Sequence, residues 1–168
     1  ISEYLELKQR KRELKITDNI LLLLNQYMTS QGLSLIKEYY KQTRNNLLKN
    51  EFSKLIVVCI GNVYKDCGSS YLYSLSYIKN YFKNGIKNVV YKCSILKNNL
   101  SKNNNYKTAL AIKTLIIEDV ENTLRKSIKK IFMDHTIKNS DKEQYAKGLI
   151  FIGTLFSKIK YDEKKVIN

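Results

Sequence analysis

One stretch constrains this chain more than any other: Lys54–Phe82, KLIVVCIGNVYKDCGSSYLYSLSYIKNYF. It opens with Leu55–Gly61, apolar up to its last residue and rich in Ile and Val, and Gly61-Asn62 ends the run. A short apolar run bounded this way predicts a strand buried on both faces. After a loop, Gly68-Ser69-Ser70 marks a helix start. Tyr71, Leu75, Ile78 and Phe82 then stand at i, i+4, i+7 and i+11, a core-facing stripe. Strand, glycine-bearing loop and helix form the opening unit of a parallel sheet, where ligands sit at the carboxyl ends of the strands.

The remaining pattern extends that unit. Asn88–Ser94, Leu115–Ile117, Ile128–Asp134 and Leu149–Gly153 read as further strands, with helical composition at 106–113 and 141–147. Alternation of this kind predicts an α/β fold, with a mostly parallel central sheet of about five strands flanked by helices. Ahead of it, residues 1–15, Thr17 or Asp18 to about Ser30, and about Ser34 to Asn50 have helical spacing, broken at Gly32. The chain is thus read as one domain over 1–168. Residues 1–50 are a helical N-terminal extension, 51–160 the sheet core and 161–168 a charged tail. Leu96–Lys107, dense in Lys and Asn, reads as a surface loop.

Charge narrows the function classes. Thirty Lys and Arg against fifteen Asp and Glu give a net charge of +15, which suits a polyanionic partner. The absence of Pro and Trp and the abundance of Lys, Asn, Ile and Tyr also fit an A+T-rich coding bias, which raises Lys without any binding role. Cys59, Cys67 and Cys93 include no CxxC pair. An odd count at these spacings is no disulfide framework and suits a reducing, cytoplasmic setting. No metal or cofactor is expected, and no apolar run reaches the length of a transmembrane span.

Two groups of residues are candidates for function. Lys8, Lys11, Arg12 and Lys15 lie on one face of the first helix with Arg10 beside them, and Tyr4, Leu7 and Leu14 form an apolar side. Such a row can track a nucleic-acid backbone, with Lys97, Lys102 and Lys107 of the Asn-rich loop as a second set. The other group is the edge where the strand ends converge: Gly61, Asn62, Ser69, Ser70, His135 and Gly153. Ser69 or Ser70 at a helix start can hold an anion on backbone N–H groups or simply cap the helix. His135, the only histidine, follows a strand end, a position open to a general acid or base or to a structural role. Tyr73, Tyr77 and Tyr81 recur every four residues, either as a stacking row or under the N-terminal helices.

The order VVCIGNVYKDCGSSYLYSL, NVVYKCS, IFMDHT and GLIFIGTLFSKI resembles the sensitivity-to-red-light-reduced domain family over roughly residues 15–160. Gly61-Asn62 matches its first turn and Leu72 its helix. Phe132, Met133 and His135 match its Phe-Met-x-His segment, and Gly153 and Phe156 its last motif. Tyr71, Cys93-Ser94, Asp134, Thr136 and Thr154-Leu155 depart from it at the polar positions. The resemblance implies an α/β scaffold without enzymatic activity. It further implies a ribosome-binding dormancy (hibernation) factor that contacts rRNA and ribosomal proteins and blocks a site such as the exit-tRNA region. That factor would work in the cytoplasm as a monomer, with no membrane or DNA partner. The alternative is a small-ligand binder or enzyme using the edge near Gly61, Ser69 and His135. A third reading is a protein–protein adaptor whose charge reflects genome composition.

Overall fold

A computed structural model describes residues 1–46, 48–73 and 104–167, and every regular element among them is a helix. The order is α1 (Ser2–Tyr27), α2 (Gly32–Asn46), α3 (Glu51–Tyr73), α4 (Asn104–Met133), α5 (Asn139–Ser157) and α6 (Glu163–Ile167). The expected α/β fold with a parallel central sheet is therefore wrong. The strand expected at Leu55–Gly61 lies inside α3, those at Leu115–Ile117 and Ile128–Asp134 inside α4 or at its end, and that at Leu149–Gly153 inside α5. The strand expected at Asn88–Ser94 lies outside the described residues.

The physical reason is burial on several sides. A short apolar run has the same appearance in a buried strand and in a helix enclosed by neighbours. Helix α3 packs against α4, α5 and α6. Leu55, Val58, Cys59 and Val63 are buried, and Val57 and Ile60 pack on the core from its flanks. In α4, Leu110, Ile117, Leu124, Ile128 and Ile131 are all buried. Their spacing of seven, seven, four and three is a single helical stripe, which cut into short pieces resembles strands.

The ends of the helices follow from local chemistry. The Asn50 Oδ1 accepts the Ser53 N–H at 2.8 Å and caps α3. No cap starts a helix at Thr17 or Asp18. Thr17 instead donates back to the Glu13 carbonyl at 2.8 Å, within an unbroken α1. The chain turns at Met28–Gln31, and Gly32 comes so close to the last turn of α1 that a Cβ would collide with the Tyr27 carbonyl.

Two seams hold the bundle. The most extensive contact is between α3 and α5. A Cβ on Gly61 would lie 2.8 Å from the Gly153 carbonyl oxygen, and one on Gly68 2.5 Å from that of Ala146. Residue number rises on α3 as it falls on α5, so the helices are antiparallel. The two close approaches are one heptad apart on both helices, which keeps the axes nearly aligned over about 10 Å. The second seam joins α1 to α4 through polar groups. Gln9 Nε2 donates to the Thr123 hydroxyl at 3.2 Å. Ser127 Oγ donates to the Glu13 carbonyl at 3.2 Å, and Thr17 Oγ1 to the Ser127 carbonyl at 3.2 Å. Lys130 Nζ donates to Glu13 Oε2 at 2.6 Å. Numbers rise together here, so α1 and α4 are parallel.

The main core gathers Ile20 and Leu24 of α1, Ile36 of α2, Val63 and Tyr64 of α3, Ile128 and Ile131 of α4, and Leu149, Ile152 and Phe156 of α5. Tyr39, Tyr40 and Tyr64 surround the Phe156 ring with centroids 6.3–6.4 Å away. Residues 1–50 thus contribute directly to this core. A smaller cluster of Leu55, Cys59, Leu110, Ile117 and Val166 lies under α6. There Lys113 Nζ donates to the Val166 carbonyl at 2.6 Å.

Candidate functional site

The six residues expected at a sheet edge do not form one. Gly61 and Gly153 do meet, but backbone to backbone at the crossing of α3 and α5. A close approach between helix backbones leaves no space there for a ligand. Asn62, Ser69 and Ser70 all lie within α3. Ser69 and Ser70 fall near the end of that helix and not at its start, where unpaired amides would be available to an anion. His135 is exposed in the turn after α4. In that turn Asp134 Oδ1 accepts the Thr136 hydroxyl at 2.7 Å and its N–H at 2.9 Å. These bonds, the hydroxyl first, hold the Asp134 carboxyl below its ordinary pKa. Among the described residues no group of three His, Cys, Asp or Glu is placed to hold a metal ion.

The basic row is spread along α1. Lys8, Arg10, Lys11 and Lys15 are exposed, and Arg12 pairs with Asp119 of α4 at 2.7 Å. Tyr4, Leu7 and Leu14 are exposed too, at 67%, 63% and 56%. The side of α1 that docks is instead Glu13, Thr17, Ile20 and Leu24. Lys107 is exposed near the start of α4, while Lys97 and Lys102 lie outside the described residues. So do Tyr77 and Tyr81; Tyr73 is exposed at the end of α3.

Other polar groups are brought together without a motif to announce them. Asp66, 3% exposed in the middle of α3, forms an ion pair with Arg125 Nη1 of α4. Arg125 Nε also reaches Glu121 Oε1 at 3.0 Å. Burial works against the Arg125 charge, but the bonds from Asp66 and Glu121 raise its pKa overall. Glu13 is held below the ordinary carboxylate pKa, first by Lys130 and then by Gln9, against the opposing effect of burial. Nearby, Lys126, Lys129 and Lys130 border a shallow depression with Glu13 and Met133.

A second basic concavity, of about 640 Å³, opens where α2 ends, α3 begins and the chain leaves α5. Arg44, Lys54, Lys158 and Lys160 line it together with Tyr40, Asn45, Leu48 and Ile159. Its cations come from three separate segments. The sequence signal is faint: a short Lys158-Ile159-Lys160 after an apolar helix, and Arg44 ten residues ahead of Lys54.

The architecture is that of a helical bundle whose buried polar groups join helix to helix. Residues 97–166 match a family model described as DnaJ-X, the X-domain of DnaJ-containing proteins. No curated protein and no solved structure matches the chain. The matched range spans α4, α5 and most of α6, and so includes half of each seam. It also contains Phe132, Met133, His135, Gly153 and Phe156, on which the resemblance to the sensitivity-to-red-light-reduced family leaned. That resemblance is corrected: the match is to a different family, and the sheet it required is absent among the described residues. Nothing in the match supports ribosome hibernation. No helix among the described residues is long and apolar enough to cross a membrane.

Proposed function

We propose that this chain is a non-enzymatic helical module that binds a polypeptide partner as part of a DnaJ-type chaperone system. The match of residues 97–166 to the X-domain of DnaJ-containing proteins carries this reading. The commitment of Asp66, Glu13, Thr17 and Ser127 to contacts between helices supports a scaffold for docking over a reaction centre. The three cysteines include no CxxC pair and no even set for a disulfide framework, which supports work in the reducing cytoplasm. The exposed row Lys8, Lys11 and Lys15 favours a second reading, contact with a nucleic-acid backbone.

One titration decides between them. Fluorescence anisotropy of a labelled, permanently unfolded polypeptide is compared with that of a labelled single-stranded oligoribonucleotide at physiological salt. The polypeptide is expected to bind more tightly. A chain that ignores it, or that binds the oligoribonucleotide more tightly with a steep salt dependence, overturns the module reading.

A further inference from the structure

We propose that the basic concavity between α2, the start of α3 and residues 158–160 is a docking site for an acidic segment of a polypeptide that also carries an aliphatic side chain. This rests on the polypeptide-binding reading and specifies where and by what chemistry a partner is held. Arg44, Lys54, Lys158 and Lys160 converge on one concave space of about 640 Å³, a volume typical of ligand-binding clefts.

Their charge is largely uncompensated. Lys54 pairs with Glu51 at 2.7 Å, and Glu51 is also engaged by the Asp162 N–H at 2.6 Å. The Asp162 carboxylate itself accepts the Lys164 N–H and caps α6. Arg44, Lys158 and Lys160 have no ion-pair partner among the described residues. The positive potential extends inward: the Lys65 pKa is lowered by burial and then by Lys158.

The remaining lining selects the class of anion. Leu48 and Ile159 are half-buried apolar surface, suited to an aliphatic side chain between carboxylates. The Tyr40 ring is half-buried and stacks on Phe156 at 6.3 Å, so its packing against the core competes with its use as a platform for a base. A single-stranded nucleic acid needs a continuous basic track with open aromatic faces, whereas these cations close around one end of the bundle.

The test uses the full chain and a labelled octapeptide of alternating Glu and Leu. Two charge-reversal triples are compared: Arg44→Glu/Lys158→Glu/Lys160→Glu in the concavity, and Lys8→Glu/Lys11→Glu/Lys15→Glu on the outer side of α1. The net charge change is the same in both. The concavity triple is expected to weaken peptide binding at least tenfold and the α1 triple less than twofold. Replacing Glu by Gln in the peptide is expected to abolish the difference. Equal weakening by both triples, or no weakening by the first, overturns the site. Tighter, concavity-dependent binding of an oligouridylate of equal charge also overturns it, in favour of a nucleic-acid site. If the first triple does not fold, judged by its helical circular dichroism and melting, Arg44→Gln and Lys160→Gln singly replace it, with threefold or larger losses expected. A concavity variant that loses the acidic peptide's specificity for neither charge nor site, yet still binds unfolded polypeptide, rejects the site and leaves the module reading intact.

Discussion

The two seams of this bundle solve the same problem with opposite chemistry. Between α3 and α5, glycines at 61, 68 and 153 let backbones approach until no side chain fits between them. Stability there comes from close packing over a long contact, and it tolerates no added atom. Between α1 and α4, Gln9, Glu13, Thr17, Thr123, Ser127 and Lys130 form a connected set of hydrogen bonds. Such a set is directional and fixes register, but each bond is worth only about 1 kcal/mol net. The difference teaches where each seam is vulnerable: the first to volume, the second to the loss of a partner or of a charge.

The largest effect is expected from volume. Gly61→Leu forces side-chain atoms into the Gly153 backbone and should destabilise the fold by more than about 3 kcal/mol, read from urea unfolding. Gly61→Ala should also destabilise, although alanine favours an isolated helix by roughly 1 kcal/mol. A stabilised Gly61→Ala would break the account of this seam. Asp66→Ala, which leaves Arg125 without its buried partner, should cost roughly 2–3 kcal/mol. The cost stays at that level because Arg125 is partly exposed and retains Glu121.

Smaller effects probe the polar seam. Ser127 is fully buried, and its single hydroxyl proton is shared between the Thr123 carbonyl at 2.8 Å and the Glu13 carbonyl at 3.2 Å. Ser127→Ala should cost about 1 kcal/mol and speed amide exchange in α1 and the facing half of α4. Exchange around Gly61 and Gly153 should stay slow; equal acceleration everywhere would mean the seams do not open separately. The smallest effect is electrostatic. The Glu13 pKa is lower in the folded protein than its ordinary value. Its contribution is therefore complete above the ordinary glutamate pKa and is lost as pH falls through the lowered value. Lys130 is partly exposed, so the contribution is under about 1 kcal/mol. Urea midpoints of the native chain and of Glu13→Gln, followed from neutral pH into acid, should converge; parallel curves would remove Glu13 from this role.

The same contrast explains what the sequence could show. Helical spacing in residues 1–50 is legible because polar residues interrupt the apolar ones and expose the period. In Leu55–Gly61 and Leu149–Gly153 almost every position is apolar, so no period is visible and a strand fits as well as a helix. The discriminating signal is the small residues: Gly61 and Gly68 stand seven apart, as do Ala146 and Gly153. That spacing describes one side of a helix, whereas reading each glycine as a strand terminator hides it. Gly61 and Gly153 meet across two helix backbones and not at the ends of strands. The polar seam was illegible because Glu13 and Lys130 are 117 residues apart, and nothing local marks either as buried. The concavity draws its cations from three segments that only the fold unites.

Both seams pair an early helix with a late one, and this sets the order of events at synthesis. α1 and α3 emerge well before α4 and α5, on which their apolar and polar groups close. The contacts are distant along the chain, with 114 residues between Gln9 and Thr123, so loop closure must precede most of the packing. A nascent chain therefore passes through an interval in which Leu24, Leu55 and Val63 have no late partner to cover them. In that interval it is itself an exposed apolar surface, dependent on rapid completion or on being held by another factor.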